Sequence, residues 1–229
     1  MPGMLHPLPL PASAWASPLA RLTWLAEQGW LAAPGPELHA ISQHLWRTDP
    51  ASALLFRCQR LAIEALRGAC NQGLAHYLLP QMLHAERAAA LPLRLDVAPL
   101  SGQDTGRGWR LTGLLPWVAN APAGSFTLVA PVRLGDEGQG WAALRGEEDG
   151  LDVLPPHAPD TPPSAWPRWR QAAGLGDVRC RAFFFREDEW LGDDDATPAL
   201  QALDAQLWPD AWGDRSLPAL SHQLAACLP

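Results

Sequence analysis

Val97-Ala98-Pro99-Leu100-Ser101-Gly102-Gln103-Asp104, followed across Thr105-Gly106-Arg107 by Gly108-Trp109-Arg110-Leu111-Thr112-Gly113-Leu114-Leu115-Pro116-Trp117-Val118-Ala119-Asn120, decides how this chain is read. Short apolar stretches bounded by Gly, Pro, Asp and Asn are the mark of strands joined by turns. The same texture begins just after Pro92 with Leu93 to Val97 and continues through Phe126 to Val132, Trp141 to Leu144, Leu151 to Leu154 and Val178 to Phe185. Pro155 to Pro167 holds six prolines and predicts an extended surface loop.

Upstream the period changes. Leu19, Leu22 and Leu25 recur at helical spacing, and Gly29 interrupts. A second helix is expected from Pro36 through Leu38, Ile41 and Leu45. A third opens at Asp49-Pro50, an N-cap acceptor followed by proline, and carries Leu54, Leu55, Cys58, Leu61, Ile63 and Leu66. A fourth runs from about Leu74 to Ala90, interrupted by Pro80. After the strand block, Leu200, Leu203, Leu207, Leu217, Leu220 and Leu224 return to helical spacing. Helices first and strands second predict an α+β fold. The expected organisation is a flexible leader over 1–18, an N-terminal helical domain over 19–91, an antiparallel β-sandwich or barrel-like domain over 92–195, and a short helical tail over 196–229. A doubly wound nucleotide fold is disfavoured by this order, and Leu111 stands where the third glycine of a Gly106, Gly108 fingerprint belongs.

At 229 residues and 48% hydrophobic content the chain can bury a sizeable core. All 17 basic residues are arginine, which excludes a phosphate-loop lysine, a Schiff-base lysine and a lysine general base. A net charge of −7 argues against nucleic-acid binding. Much of that charge is local, because six acids lie between Glu187 and Asp195; they read as a solvated loop. Cys58, Cys70, Cys180 and Cys227 show no zinc spacing and read as reduced, buried small hydrophobes, so no metal is expected. No window is apolar enough for a membrane helix, and the proline-rich start lacks a signal peptide's features, so the expectation is a cytoplasmic protein. His84 and Glu86 lie two apart on a helix and face different ways. Arg94, Arg107 and Arg110 read as solvated strand-end charges, with a grip on a phosphate as the alternative.

The opening stretch resembles the acyl-CoA dehydrogenase family, in which a TEPxAGSD segment leads into a strand of the form W.L.G.K.WITN. Leu25 to Pro34 and Leu78 to Glu86 are similar to the family's early helix and its "LP.ml.GE" segment, and Gly174 to Gly192 looks like a further part of its β-domain. The likeness covers about residues 20 to 195. It implies a helical and a β-domain that together hold one face of an FAD ring and part of an acyl-CoA cleft. Carried over position by position, the cofactor contacts are Val97, Trp117, Val118 and Ala119, and the thioester-side contacts are Gln103 and Asp104.

Val97, Ala119 and Gln103 lack the family's hydroxyls, and each hydrogen bond lost to a buried cofactor costs roughly 1 to 3 kcal/mol. The family's catalytic glutamate belongs to a C-terminal helical bundle that this chain is expected to lack. No recognisable base replaces it, and Glu86 has no geometric claim to the role. Two functions are therefore expected. One is flavin-dependent oxidation of an acyl thioester Cα–Cβ bond. The other is a shortened, non-catalytic binding or assembly module whose partner is a flavoprotein, an acyl-CoA or acyl-carrier thioester, or a second copy in a homodimer. Trp117 is read as a ligand contact or as core, and Trp109 as core. The tail's Leu203, Leu207, Leu220 and Leu224 are expected to be buried against the first two domains.

Overall fold

The computed structural model describes residues 17–121, 125–136, 138–156, 166–213 and 216–227. The expected leader lies outside the described residues up to position 16, as does 157–165 of the proline-rich loop. Helix α1 (Pro18–Glu27) starts where Ser17 Oγ accepts from the Ala20 N–H at 3.2 Å and proline takes the first turn. Helices α2 (Gly35–Thr48), α3 (Pro50–Arg67) and α4 (Gln72–Leu83) follow.

Helix α3 is the hub. Every residue from Ala51 to Ile63 is buried, because α1, α2 and α4 enclose it and strand β1 lies beside it. Its polar residues must then be partnered inside the protein. Asp49 corrects the capping expectation: its side chain makes no cap hydrogen bond to the helix. It instead pairs with buried Arg21 at 3.1 Å and accepts from Ser52 Oγ at 2.5 Å.

Helix α4 ends at Leu83 instead of continuing to Ala90. Ala85 takes left-handed backbone (φ +55), and the Glu86 N–H reaches back to the Gln81 carbonyl at 2.8 Å, a Schellman-type closure. Three alanines, good helix formers, then lie in strand β1 (Ala88–Pro92). Tertiary pairing overrides propensity here. Arg87 anchors the switch by donating to Thr127 Oγ1 at 2.5 Å and to the Phe126 carbonyl and Glu147.

The remaining strands are β2 (Leu100–Asp104), β3 (Trp109–Ala119), β4 (Phe126–Leu134), β5 (Gly138–Arg145), β6 (Leu151–Leu154), β7 (Gly176–Phe185) and β8 (Trp190–Asp193). They form one sheet in the order β6-β7-β3-β1-β4-β5-β8. Strand β2 shares β1's lane: Ala88–Ala90 run beside Phe126–Leu128, and Leu100–Gly102 beside Val132–Leu134. Both of these pairings with β4 are parallel, whereas every other pairing among the described residues is antiparallel. Leu93 to Val97, expected as a strand, belong instead to an excursion between the two halves of that lane.

A helix absent from the sequence reading, α5 (Trp166–Ala173), stands between β6 and β7 and packs on α1 and α3. The tail forms α6 (Thr197–Leu207) and α7 (Leu217–Cys227). Leu207, Leu220 and Leu224 are fully buried, as expected for a tail that returns to the helical block, whereas Leu203 is only half-buried. The last carbonyls of α6, which no helical N–H can reach, are met from α2. Ser42 Oγ and Trp46 Nε1 donate to the Leu207 carbonyl at 2.5 and 2.8 Å, and Gln43 donates to that of Trp208 at 2.9 Å. One hydrophobic core runs continuously through helices, sheet and tail.

Candidate functional site

Strand β3 carries both candidate tryptophans, one near each end. At its C-terminal end Leu91 and Pro92 pair with Ala119 and Val118, and the Leu93 N–H donates to the Trp117 carbonyl at 2.8 Å. Here the strand is irregular. Trp117 and Asn120 hold left-handed backbone (φ +55 and +60), costing on the order of 1 to 3 kcal/mol each unless the surroundings enforce it. The enforcing contacts are visible. Buried Asp177 accepts from the Trp117 N–H at 2.9 Å, and the Asn120 N–H donates to the Ala173 carbonyl at the end of α5 at 2.8 Å. The Asn120 amide donates to the Ala89 carbonyl at 2.9 Å. Gln59 of α3 accepts from the Ala89 N–H at 2.8 Å and donates to the carbonyls of Met82 and Arg87, which binds helix and sheet together.

The result is a closed surface. Trp117 is 3% exposed and Val118 and Ala119 are 0% exposed; Val97, on the excursion, is half-buried against the core. The excursion is held from below by Arg57, whose guanidinium donates to the carbonyls of Pro92 and Leu93 at 3.3 and 2.9 Å. The same fully buried guanidinium pairs with Asp204 of α6 at 2.6 Å and lies 4.8 Å over the Trp208 ring. Trp208 stacks on Trp46, and Trp212 completes the cluster. A cavity of about 450 Å3 lies beside this junction, lined on one side by Leu93 to Asp96 and on the other by Gln201, Asp204 and Trp208 of the tail.

Gln103 and Asp104 are not brought to this place. They are exposed on β2, opposite Arg110 and Trp109, seven and eight positions down β3 from Trp117 and thus on the order of 25 Å away at about 3.3 Å per residue. Asp104 closes a local turn by accepting from the Gly106 N–H at 2.6 Å and borders a cavity of about 510 Å3 with Arg107 and Arg186. Trp109 is largely buried, in line with a core residue, and it also borders a smaller cavity of about 270 Å3.

A flavin ring needs an open face and hydrogen-bond donors at its edge. Trp117, Val118 and Ala119 present no open face, and Val97 and Ala119 present no hydroxyl, so these residues as arranged do not fit that group. Among the described residues no three His, Cys, Asp or Glu side chains are placed to hold a metal ion, and no helix is long and apolar enough to cross a membrane. Burial pushes the Cys58 thiol up to about 11 and the Cys180 thiol up to about 12, which removes both as thiolates. Cys70 corrects the expectation of buried cysteines, being exposed. His84 and Glu86 are exposed, and Arg94 is engaged by Asp96, whose carboxyl that arginine's hydrogen bond holds below its ordinary value.

Two further features escaped the sequence reading. Arg57, Asp204 and Trp208 join elements far apart in the chain; the local signal was a set of polar residues, Ser52, Arg57, Gln59 and Arg60, interleaved with the apolar positions of α3. In the acidic run Glu189 is buried, not solvated, and burial pushes its carboxyl up. Its Oε2 accepts from the Arg186 N–H at 3.0 Å.

No family model matches the chain, and no curated protein does. Solved structures do. Glutaryl-CoA dehydrogenase from Mycobacterium smegmatis is 14% identical with a TM-score of 0.69, the match covering 84% of this chain and 54% of that one. A chain of the ChsE4-ChsE5 complex from Mycobacterium tuberculosis is 19% identical with a TM-score of 0.61, over 79% of this chain and 49% of that one. PigA with FAD and proline is 13% identical with a TM-score of 0.62, over 82% and 53%. In fold the chain is acyl-CoA dehydrogenase-like, and it spans about half the length of the solved structures it matches.

Proposed function

We propose that the chain is a non-catalytic protein of this fold that serves as a binding or assembly module and does not itself oxidise an acyl thioester Cα–Cβ bond. The observation that supports this reading is the burial of Trp117, Val118 and Ala119, the surface on which a flavin ring would lie. The residues assigned to the thioester side, Gln103 and Asp104, sit at the other end of the sheet, so the two halves of an active site do not converge. Removing hydroxyls alone would weaken a flavin site; sealing its surface abolishes it.

The partner favoured is a protein. The fold occurs in the ChsE4-ChsE5 complex, beside a second protein. A second copy of this chain, or an acyl-CoA or acyl-carrier thioester, comes next.

Absorbance spectroscopy tests the reading. Purified protein is expected to lack the visible flavin bands both before and after incubation with FAD, and Val97→Thr, which restores one hydroxyl, is expected to change nothing. Stoichiometric flavin on the wild type would overturn the proposal. Flavin uptake by Val97→Thr alone would show that chemistry, not burial, closed the site. Light scattering tests assembly: a monomer at every concentration excludes the second copy and leaves a different protein or a thioester as the partner.

A further inference from the structure

The outer face of the sheet carries a set of side chains that neither end of β3 accounts for. Cross-strand partners share a face, so the register puts Arg179 beside Leu114, Phe184 beside Arg110, and Arg133 of β4 beside Ser101, which itself lies beside Thr112. Arg181 joins them, two residues along β7 from Arg179. Phe184 reaches this face through a bulge: Arg181 and Ala182 together stand against Thr112, Ala182 takes left-handed backbone (φ +52), and the extra residue turns Phe184 to the side of the arginines. Leu114 and Phe184 are 48% and 40% exposed, two of the four large apolar side chains exposed among the described residues. The Phe184 ring is seated on Gly108, where a Cβ would come within 3.1 Å of it.

We propose that this face docks an acidic, extended segment of a different protein, an inference that rests on the assembly-module reading and names the partner's chemistry. Against its four arginines the paired strands set one carboxylate, Asp152 of β6, which lies beside Arg179. Asp152 pairs with Arg181 at 3.1 Å, an exposed contact of little strength. Arg110 donates to the Ala182 carbonyl at 3.2 Å and Arg133 to Gln139 Oε1 at 3.1 Å, which orients both guanidiniums and neutralises neither. Arg179 forms no ion pair among the described residues. On a chain of net charge −7 this is a local excess of positive charge. A membrane surface or a nucleic acid is broader than the patch and would also meet the exposed Glu187 and Asp188, which follow β7 closely, within a Debye length of about 10 Å. A second copy docked face to face would set the arginines against one another. A narrow acidic segment meets neither penalty. Spacing defines it further, because Leu114 and Arg110, beside which Phe184 lies, are four residues apart on β3, roughly 13 Å at about 3.3 Å per residue. An extended segment covers that span with apolar side chains at i and i+4 and a carboxylate at i+2, over the arginines.

Fluorescence anisotropy tests it on the full chain with the labelled peptide Glu-Thr-Leu-Thr-Glu-Thr-Phe-Thr-Glu, whose alternate residues give one acidic and apolar side, and with the same peptide carrying Gln for Glu. The acidic peptide is expected to bind saturably and the Gln peptide about tenfold or more weakly, the combined effect of several exposed charge pairs. Added salt is expected to narrow that gap. Arg110→Gln combined with Arg179→Gln is expected to weaken the acidic peptide about fivefold or more, and Phe184→Ala to weaken both peptides alike, with melting temperatures taken alongside to separate lost docking from lost fold. Equal binding of the two peptides, no binding of either, or full affinity in a folded double-arginine variant would each overturn the proposal. Tighter binding to phosphatidylserine vesicles than to the peptide would reassign the face to a membrane, and a dimer that the double-arginine variant dissociates would reassign it to a second copy. A protein that stays colourless with FAD and ignores both peptides loses this face and keeps the module reading; one that carries flavin and binds the acidic peptide loses the module reading and keeps the face.

Discussion

Trp117 and Trp109 sit eight positions apart on one strand and meet opposite surroundings. Around Trp117 the strand is strained, the neighbouring backbone is pinned by Gln59, Asp177 and α5, and the tail's Asp204 and Trp208 are tied through Arg57 to the excursion beside it. Around Trp109 the sheet opens into two adjoining cavities edged by carboxylates and arginines. Both tryptophans are largely buried, and what borders each of them differs. What separates them is whether distant elements close over the strand end.

Three substitutions sharpen that contrast. The largest effect belongs to the sealed end: Trp208→Ala is expected to cost about 3 to 5 kcal/mol in denaturant unfolding, because it empties a fully buried ring position and bares the Arg57 guanidinium. A loss below about 1 kcal/mol would mean that the tail does not hold this end shut.

At the open end, Gly140→Ala is expected to cost about 1 to 3 kcal/mol in denaturant unfolding, because its Cβ would meet both the Gly192 carbonyl and the Trp190 ring. A loss below about 0.5 kcal/mol would mean that this end of the sheet gives way without cost.

The smallest effect is at Glu189. Burial raises its folded-state pKa, so the stability linked to this group is fully present below its unfolded pKa and is lost as pH rises through the folded value. Glu189→Gln keeps an oxygen to accept from the Arg186 N–H and removes the buried charge. It is expected to match or exceed the wild type at neutral pH by no more than about 1 kcal/mol, with the advantage fading on acidification in paired thermal melts. An advantage that grows on acidification would contradict the assigned direction.

Much of the fold was legible from local signals. Leu19, Leu22 and Leu25 mark α1, Pro50 opens α3 and Gly68 follows its end, and turn residues at 104–108 separate two strands, because such signals are satisfied within a few residues of themselves, although the expected leader over 1–18 runs through Ser17-Pro18, which cap and open α1. Three segments misled for one reason. Ala88 to Ala90 prefer helix but pair with β4; Leu93 to Val97 alternate like a strand but lie outside the lane; and Trp166 begins a helix behind a proline run. In each case a partner from elsewhere in the chain outweighed a propensity of a few tenths of a kcal/mol per residue.

The candidate site divides the same way. The residue types at positions 97, 103 and 119, and with them the missing hydroxyls, were fixed by composition, as was the absence of any lysine. Which face those positions present was not, because accessibility depends on what packs over them. Helix α6 reaches Arg57 from 147 residues away, and the Asn120 backbone N–H meets the carbonyl of Ala173, more than fifty residues further on. The cavity beside Trp109 likewise gathers residues of β3, β4, β5, β7 and β8, brought together from 109 to 193 by the fold. Helices, turns and missing chemical groups are short-range properties carried by a stretch of chain; a sealed surface or an open cavity is a long-range one, set by contacts that exist only after the chain has folded.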